Sequence, residues 1–224
     1  MKFKQLFLNL KPANYHELSK NNFVILPENN KIIDFLNFFF NQRSKNNSIS
    51  SCIIKGQEHC GKTHIINIFA KQFDATIINI NDIAENKING IFKNNEFYII
   101  EDIDICNEKK LFHAINSCFE NKCFLIMTCR LGVFKLKDLQ SRIKNIITLE
   151  ILNPDENSVK TLISQTLSNR QLRVSSQTID FISKNIKRNY KEIFKAAEQI
   201  QEFCFVNKKT ISLKEIKNLE LFKQ

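Results

Sequence analysis

The sequence predicts an α/β protein in which a parallel five-stranded sheet is flanked by helices and followed by a small all-helical C-terminal unit. Short unbroken apolar runs at residues 50–55, 76–80, 97–100, 123–128 and 146–149 read as strands buried on both faces. Amphipathic segments lie between most of them; in 108–119, Leu111, Phe112, Ile115 and Phe119 share one side. After Pro154 the strand signal stops and three helical patterns follow, at 155–167, 175–186 and 190–205.

Each element has a local reason. The run 50–55 ends at Gly56, and Ile65, Ile66, Ile68, Phe69 and Phe73 then recur at helical spacing, which reads as strand, loop, helix. Strands alternating with helices imply a parallel sheet, and such sheets present ligands at the carboxyl ends of their strands. Asn153-Pro154-Asp155 marks a boundary, because the residue before a proline resists helix while proline suits a first helical turn. The expected organisation is an N-terminal peptide and linker at 1–20, a core at 21–153 and a helical lid at 154–224.

Composition narrows the function classes. A chain of 224 residues with 43% apolar content can bury one core plus a satellite subdomain without covalent staples. Its seven cysteines form no C-x-x-C pair and no zinc-like spacing, with Cys118 and Cys123 only a near pair, so reduced thiols in a cytoplasmic protein are expected. No stretch approaches the roughly 18 unbroken apolar residues of a membrane helix, so no membrane association is expected. The formal charge of +10 invites a nucleic-acid reading, but lysines are spread along the whole chain and the dense basic run is confined to 184–195.

Two patterns carry chemistry. Gly56-Gln57-Glu58-His59-Cys60-Gly61-Lys62-Thr63 fits G-x-x-x-x-G-K-S/T between a strand and a helix, with His64 next in the helix. Backbone N–H groups of such a loop surround phosphates, Lys62 would reach the outer ones, and the Thr63 hydroxyl would ligate magnesium. The apolar strand 97–100 ends in Glu101-Asp102, a pair suited to holding the ion and polarising an attacking water. Asp first and Glu second is the commoner order; with the shorter Asp102 in the base position, inefficient hydrolysis by the isolated chain is expected. Thr128 closes the strand 123–128 and would aim a polar group at the outer phosphate.

Over nearly its whole length the chain resembles the AAA+ domain of the DnaA initiator family and, more closely, its short Hda relatives of alphaproteobacterial form. The resemblance is carried by GQEHCGKTH, IIEDID, LFHAIN, LIMTCR, DLQSRI and NRQLRVSSQTIDFI. It implies an AAA+ P-loop core with a helical lid, adenine nucleotide (ADP or ATP) with Mg2+, and a weak or partner-dependent ATPase. It also implies that Thr128 is a first sensor, that Arg142 is an arginine finger, and that Phe23 and Val24 lie beside the adenine, although Leu26 stands where the family often has glycine. Family members carry an arginine at the start of a lid helix as second sensor; Arg188 and Lys191 are both candidates, and lysine would lack the planar two-point grip. With the Glu101-Asp102 order, this makes a long-lived ADP state the expectation.

Gln5-Leu6-Phe7-Leu8-Asn9-Leu10 resembles the clamp-binding peptide of the Hda relatives, with Asn9 where proline is frequent. Gln5 would meet a polar rim while Leu6, Leu8 and Leu10 fill apolar pockets. No helix-turn-helix domain is expected after the lid, and no long region before the core. The implied function is negative regulation of replication initiation: a nucleotide-loaded factor on the sliding clamp (beta subunit) that makes DnaA hydrolyse its ATP. Contact with DNA would then be indirect, through the clamp, and self-association into a homo-oligomer is compatible with that role. The alternatives are a DnaC-like helicase loader or other DNA-binding AAA+ ATPase, and an ATPase subunit of the clamp-loader kind.

Overall fold

Residues 23–41, 49–207, 211–219 and 222 are described by the computed structural model. Within them the order is α1 (Pro27–Phe40), β1 (Ser51–Gly56), α2 (Lys62–Phe73), β2 (Thr76–Ile78), β3 (Phe97–Ile100), α3 (Glu108–Glu120), β4 (Phe124–Cys129), α4 (Lys137–Lys144) and β5 (Ile147–Ile151). There follow α5 (Glu156–Asn169), α6 (Ser176–Asn185), α7 (Tyr190–Asn207) and the short α8 (Leu213–Ile216). The strands pair in parallel in the order β2-β3-β4-β1-β5. All five predicted strands are present, and the region after β5 is helical among the described residues.

Strand periodicity explains the two cores. Cys52 and Ile54 of β1, Phe97 and Ile99 of β3, and Phe124 and Ile126 of β4 point to one face, where they pack with α1, α2 and the C-terminal helices. Their alternates, Ile53, Tyr98, Ile100, Leu125 and Met127, face α3 and α4. The first face is rich in phenylalanine: Phe39 meets Phe97 and Phe124 with centroids 6.1 and 5.7 Å apart, and Phe40 stacks on Phe73 at 4.5 Å.

The structure departs from the sequence reading at the sheet edges and at the start of the chain. β2 and β5 are edge strands with Ile77 and Ile147 exposed, so burial on both faces holds for β1, β3 and β4 only. The strand predicted at 76–80 stops at Ile78 because the Asn79 side chain accepts from Asn81 N–H (3.2 Å) and opens a 3-10 turn. Helix α1 was not anticipated. It begins with Pro27 in its first turn, and the buried Asn29 ties down the preceding chain by accepting from Leu26 N–H (2.9 Å) and donating to Val24 O (2.9 Å).

Side-chain caps set the later helix starts. Asn107 accepts from Lys109 and Lys110 N–H at α3, Asp155 from Ser158 N–H at α5, and Ser175 from Thr178 N–H at α6. The Asp155 carboxyl is held below its ordinary pKa by the Ser158 N–H that it accepts. Glu28 of α1 reaches the same helix start, accepting from Asp155 N–H (2.8 Å) and the Ser158 hydroxyl (2.9 Å). No helix among the described residues is long and apolar enough to cross a membrane.

Candidate nucleotide site

The site is built at the carboxyl ends of the three central strands. β1 ends at Gly56, where a Cβ would meet Cys60 Sγ at 2.6 Å and Ile151 Cβ at 3.2 Å, so only glycine lets the chain turn against β5. Gly61 follows with φ +91° and starts α2. His59 also has a left-handed backbone, φ +64°, which costs a residue with a Cβ roughly 1–2 kcal/mol.

Lys62 is only 7% exposed, and its ammonium donates to Gly56 O (2.7 Å) and Gln57 O (2.9 Å) of its own loop. Cys60 Sγ lies 3.8 Å from that nitrogen; burial pushes the Cys60 thiol pKa up, and the Lys62 charge opposes the shift. The Thr63 hydroxyl donates to Glu101 Oε2 at 2.6 Å, so the structure brings together the two residues singled out as metal ligands. Among the described residues no group of three or more His, Cys, Asp or Glu side chains could hold a metal ion, so such a site would have to be completed by oxygens from a ligand.

The register carries the second acidic residue to its neighbours. Ile100 pairs with Met127, so the chain beyond β3 runs beside Thr128, whose buried hydroxyl accepts from Asp102 N–H at 2.9 Å. Asp102 has φ +47°, and its carboxylate is 3.7 Å from the Arg130 guanidinium. Arg130 also reaches Glu58 of the loop at 3.5 Å, and its N–H donates to Asp104 at 3.0 Å. One exposed arginine thus links loop, β3 and β4, a role the sequence reading missed because it depends on strand order.

Beside the loop lies an apolar cavity of about 210 Å³, lined among others by Phe23, Val24, His64, Tyr190 and Phe194. Phe23 meets His64 edge-on at 5.1 Å, and His59 faces Phe194 of α7 at 6.2 Å. Tyr190 and Phe194 were not among the candidate residues, and their one available signal was apolar spacing in the last long helix.

No protein-family model matches the chain. Among curated proteins, the chromosomal replication initiator protein DnaA of Campylobacter fetus is 26% identical over 172 residues, covering 72% of this chain and 39% of that protein. DnaA of Treponema denticola is 22% identical over 193 residues, covering 75% and 41%. The chain therefore spans about two fifths of the length of these relatives. Among solved structures, domain III of Thermotoga maritima DnaA superposes with a TM-score of 0.70 at 18% identity, over 93% of this chain and 98% of that one. The fold is that of an AAA+ domain, as in DnaA domain III. The Thermotoga maritima RuvB Holliday junction branch migration motor shares it at TM-score 0.65 and 15% identity, over 84% of this chain and 67% of that one. AMPPCP-bound DnaA from Aquifex aeolicus matches at TM-score 0.62 and 18% identity, over 84% and 65%.

The remaining candidates lie at different places on this AAA+ fold. Arg142 is exposed in the last turn of α4, does not line the cavity, and forms no ion pair among the described residues. Arg188 is drawn to Glu156 of α5 at 3.2 Å. Lys191 is exposed in the first turn of α7, on the same helix as the cavity residues Tyr190 and Phe194. Gln5, Leu6, Leu8 and Leu10 lie outside the described residues.

Proposed function

We propose that this DnaA-related AAA+ chain binds adenine nucleotide with magnesium, rides the sliding clamp, and promotes hydrolysis of DnaA-bound ATP, its own nucleotide being held as ADP. One observation carries the nucleotide part of this reading: Lys62, the Thr63–Glu101 pair and the Asp102–Thr128 pair meet at one sheet edge beside an apolar cavity. The residues fit the ligand. The α2 N-terminus and the loop N–H groups favour phosphate, and the cavity between the loop and α7 suits a base. The bound ion supplies positive charge to the phosphate oxygens.

In this reading residues 154–224 act as a lid over a core at 21–153, and Phe23 and Val24 flank the adenine. Lys62 neutralises the outer phosphates, while Thr63 and Glu101 hold the ion. Asp102 would orient a water beside the terminal phosphate, with Thr128 fixing its backbone. Its tie to Arg130 and its short side chain favour slow turnover by the chain alone. Lys191 or Arg188 would touch the nucleotide from the lid.

The partner roles rest on resemblance to Hda relatives and on the exposure of Arg142 away from the cavity. A guanidinium supplied to a neighbouring site can accelerate phosphoryl transfer by about 10³-fold or more. The test is single-turnover hydrolysis of ATP pre-bound to DnaA, with clamp-loaded DNA and this protein in its ADP form. Arg142→Ala should lose the stimulation while keeping ADP and clamp, and a Leu8→Ala, Leu10→Ala double variant should lose the clamp while keeping ADP. Absence of stimulation by the parent chain, with salt-sensitive binding to single-stranded DNA, would favour the helicase loader instead.

A further inference from the structure

His59 combines two properties that do not arise together by default. Its backbone is left-handed, φ +64°, a conformation glycine adopts freely and a larger residue resists. Its side chain is nevertheless present and reaches out of the phosphate loop to Phe194, with ring centroids 6.2 Å apart and planes at 54°. Both residues line the apolar cavity. A strained residue persists where its surroundings hold it, which directs attention to what the imidazole contacts.

The contact lies apart from the hydrogen bonds between the core and the C-terminal helices. The Tyr190 hydroxyl donates to Leu152 O at 3.2 Å, and Glu28 accepts from the start of α5, so these ties hold the base of the helical unit where it leaves β5. Phe194 is one turn further along α7 and touches the phosphate loop itself. We propose that His59 and Phe194 form a clasp that couples the phosphate loop to the lid and slows release of a bound nucleoside diphosphate. His59 is thereby a positioning residue for the nucleotide. A ligand in the cavity is covered while the rings are together and leaves when they part, so the contact adds to the barrier for release and not to the contacts made by Lys62. The inference rests on the reading of this cavity as a nucleotide site.

The experiment measures release of radiolabelled ADP from the full chain, chased with excess unlabelled ADP, for the parent, His59→Gly, His59→Asn, Phe194→Ala and the His59→Gly, Phe194→Ala double variant. Each single change should speed release by about three- to tenfold, the range for loss of one aromatic pair. The double variant should release no faster than the quicker single, because the two rings act as one unit. Glycine relieves the left-handed strain and asparagine tolerates it, so neither variant should melt below the parent when nucleotide-free. Unchanged release in the two His59 variants, or effects that multiply in the double, would overturn the clasp while leaving the nucleotide site standing. A parent chain that retains no ADP would overturn both.

Discussion

At the residue scale, Lys62 holds a cation almost out of solvent against two carbonyls of its own loop. Replacing it with alanine should weaken both ADP and ATP binding by roughly ten- to a hundredfold, the scale of a hydrogen bond to a charged group, as read by titration calorimetry. Glu101 differs in kind, because its carboxylate meets the Thr63 hydroxyl and forms no ion pair among the described residues. Glu101→Gln keeps an acceptor for that hydroxyl but removes the charge. Nucleotide affinity in excess magnesium should persist, while half-saturation by magnesium moves up by about tenfold. The glycine loop and the acidic strand end were legible because the chemistry of each lies within a few consecutive residues. The left-handed His59 and the bridging Arg130 were not: a backbone angle leaves no mark in composition, and the Arg130 partners Glu58 and Asp102 are far away in sequence.

At the element scale, α3 fixes the segment that leads to Arg142. Its first-turn residue Glu108 accepts from Lys135 N–H (2.9 Å) and Leu136 N–H (2.6 Å), just ahead of α4. Those two donors lower the Glu108 pKa. A carboxyl lowered on folding contributes stability above its unfolded pKa and loses it as pH falls through the folded value. Glu108→Ala should therefore lower Tm by about 2–4 °C near neutral pH, with the gap to the parent closing in acid below roughly pH 4. Helix α3 was legible from its apolar spacing. Helix α1 was not anticipated, although Ile32, Leu36, Phe39 and Phe40 recur at helical spacing; its start is organised by the Asn29 side chain and by Glu28 reaching α5.

At the scale of the whole molecule, the order β2-β3-β4-β1-β5 assembles the site by placing β1 between β4 and β5 and bringing the ends of β1, β3 and β4 together. Alternating strands and helices announced a parallel sheet, but strand order is set by crossovers that no local pattern encodes. The α7 side of the cavity was illegible for the same reason, since Tyr190 and Phe194 enter it far along the chain from Phe23 and Val24. The apolar cluster on the first face has a consequence for melting. It runs without a break from Phe39, Ile54 and Ile126 to Val159, Ile163, Ile193 and Ile200, so the C-terminal helices share their interior with the sheet. The C-terminal helices therefore have no private interior to lose first. Differential scanning calorimetry of the nucleotide-free chain should accordingly give one endotherm with equal calorimetric and van't Hoff enthalpies, and amide exchange in α7 should open with that of β1 in a single cooperative event.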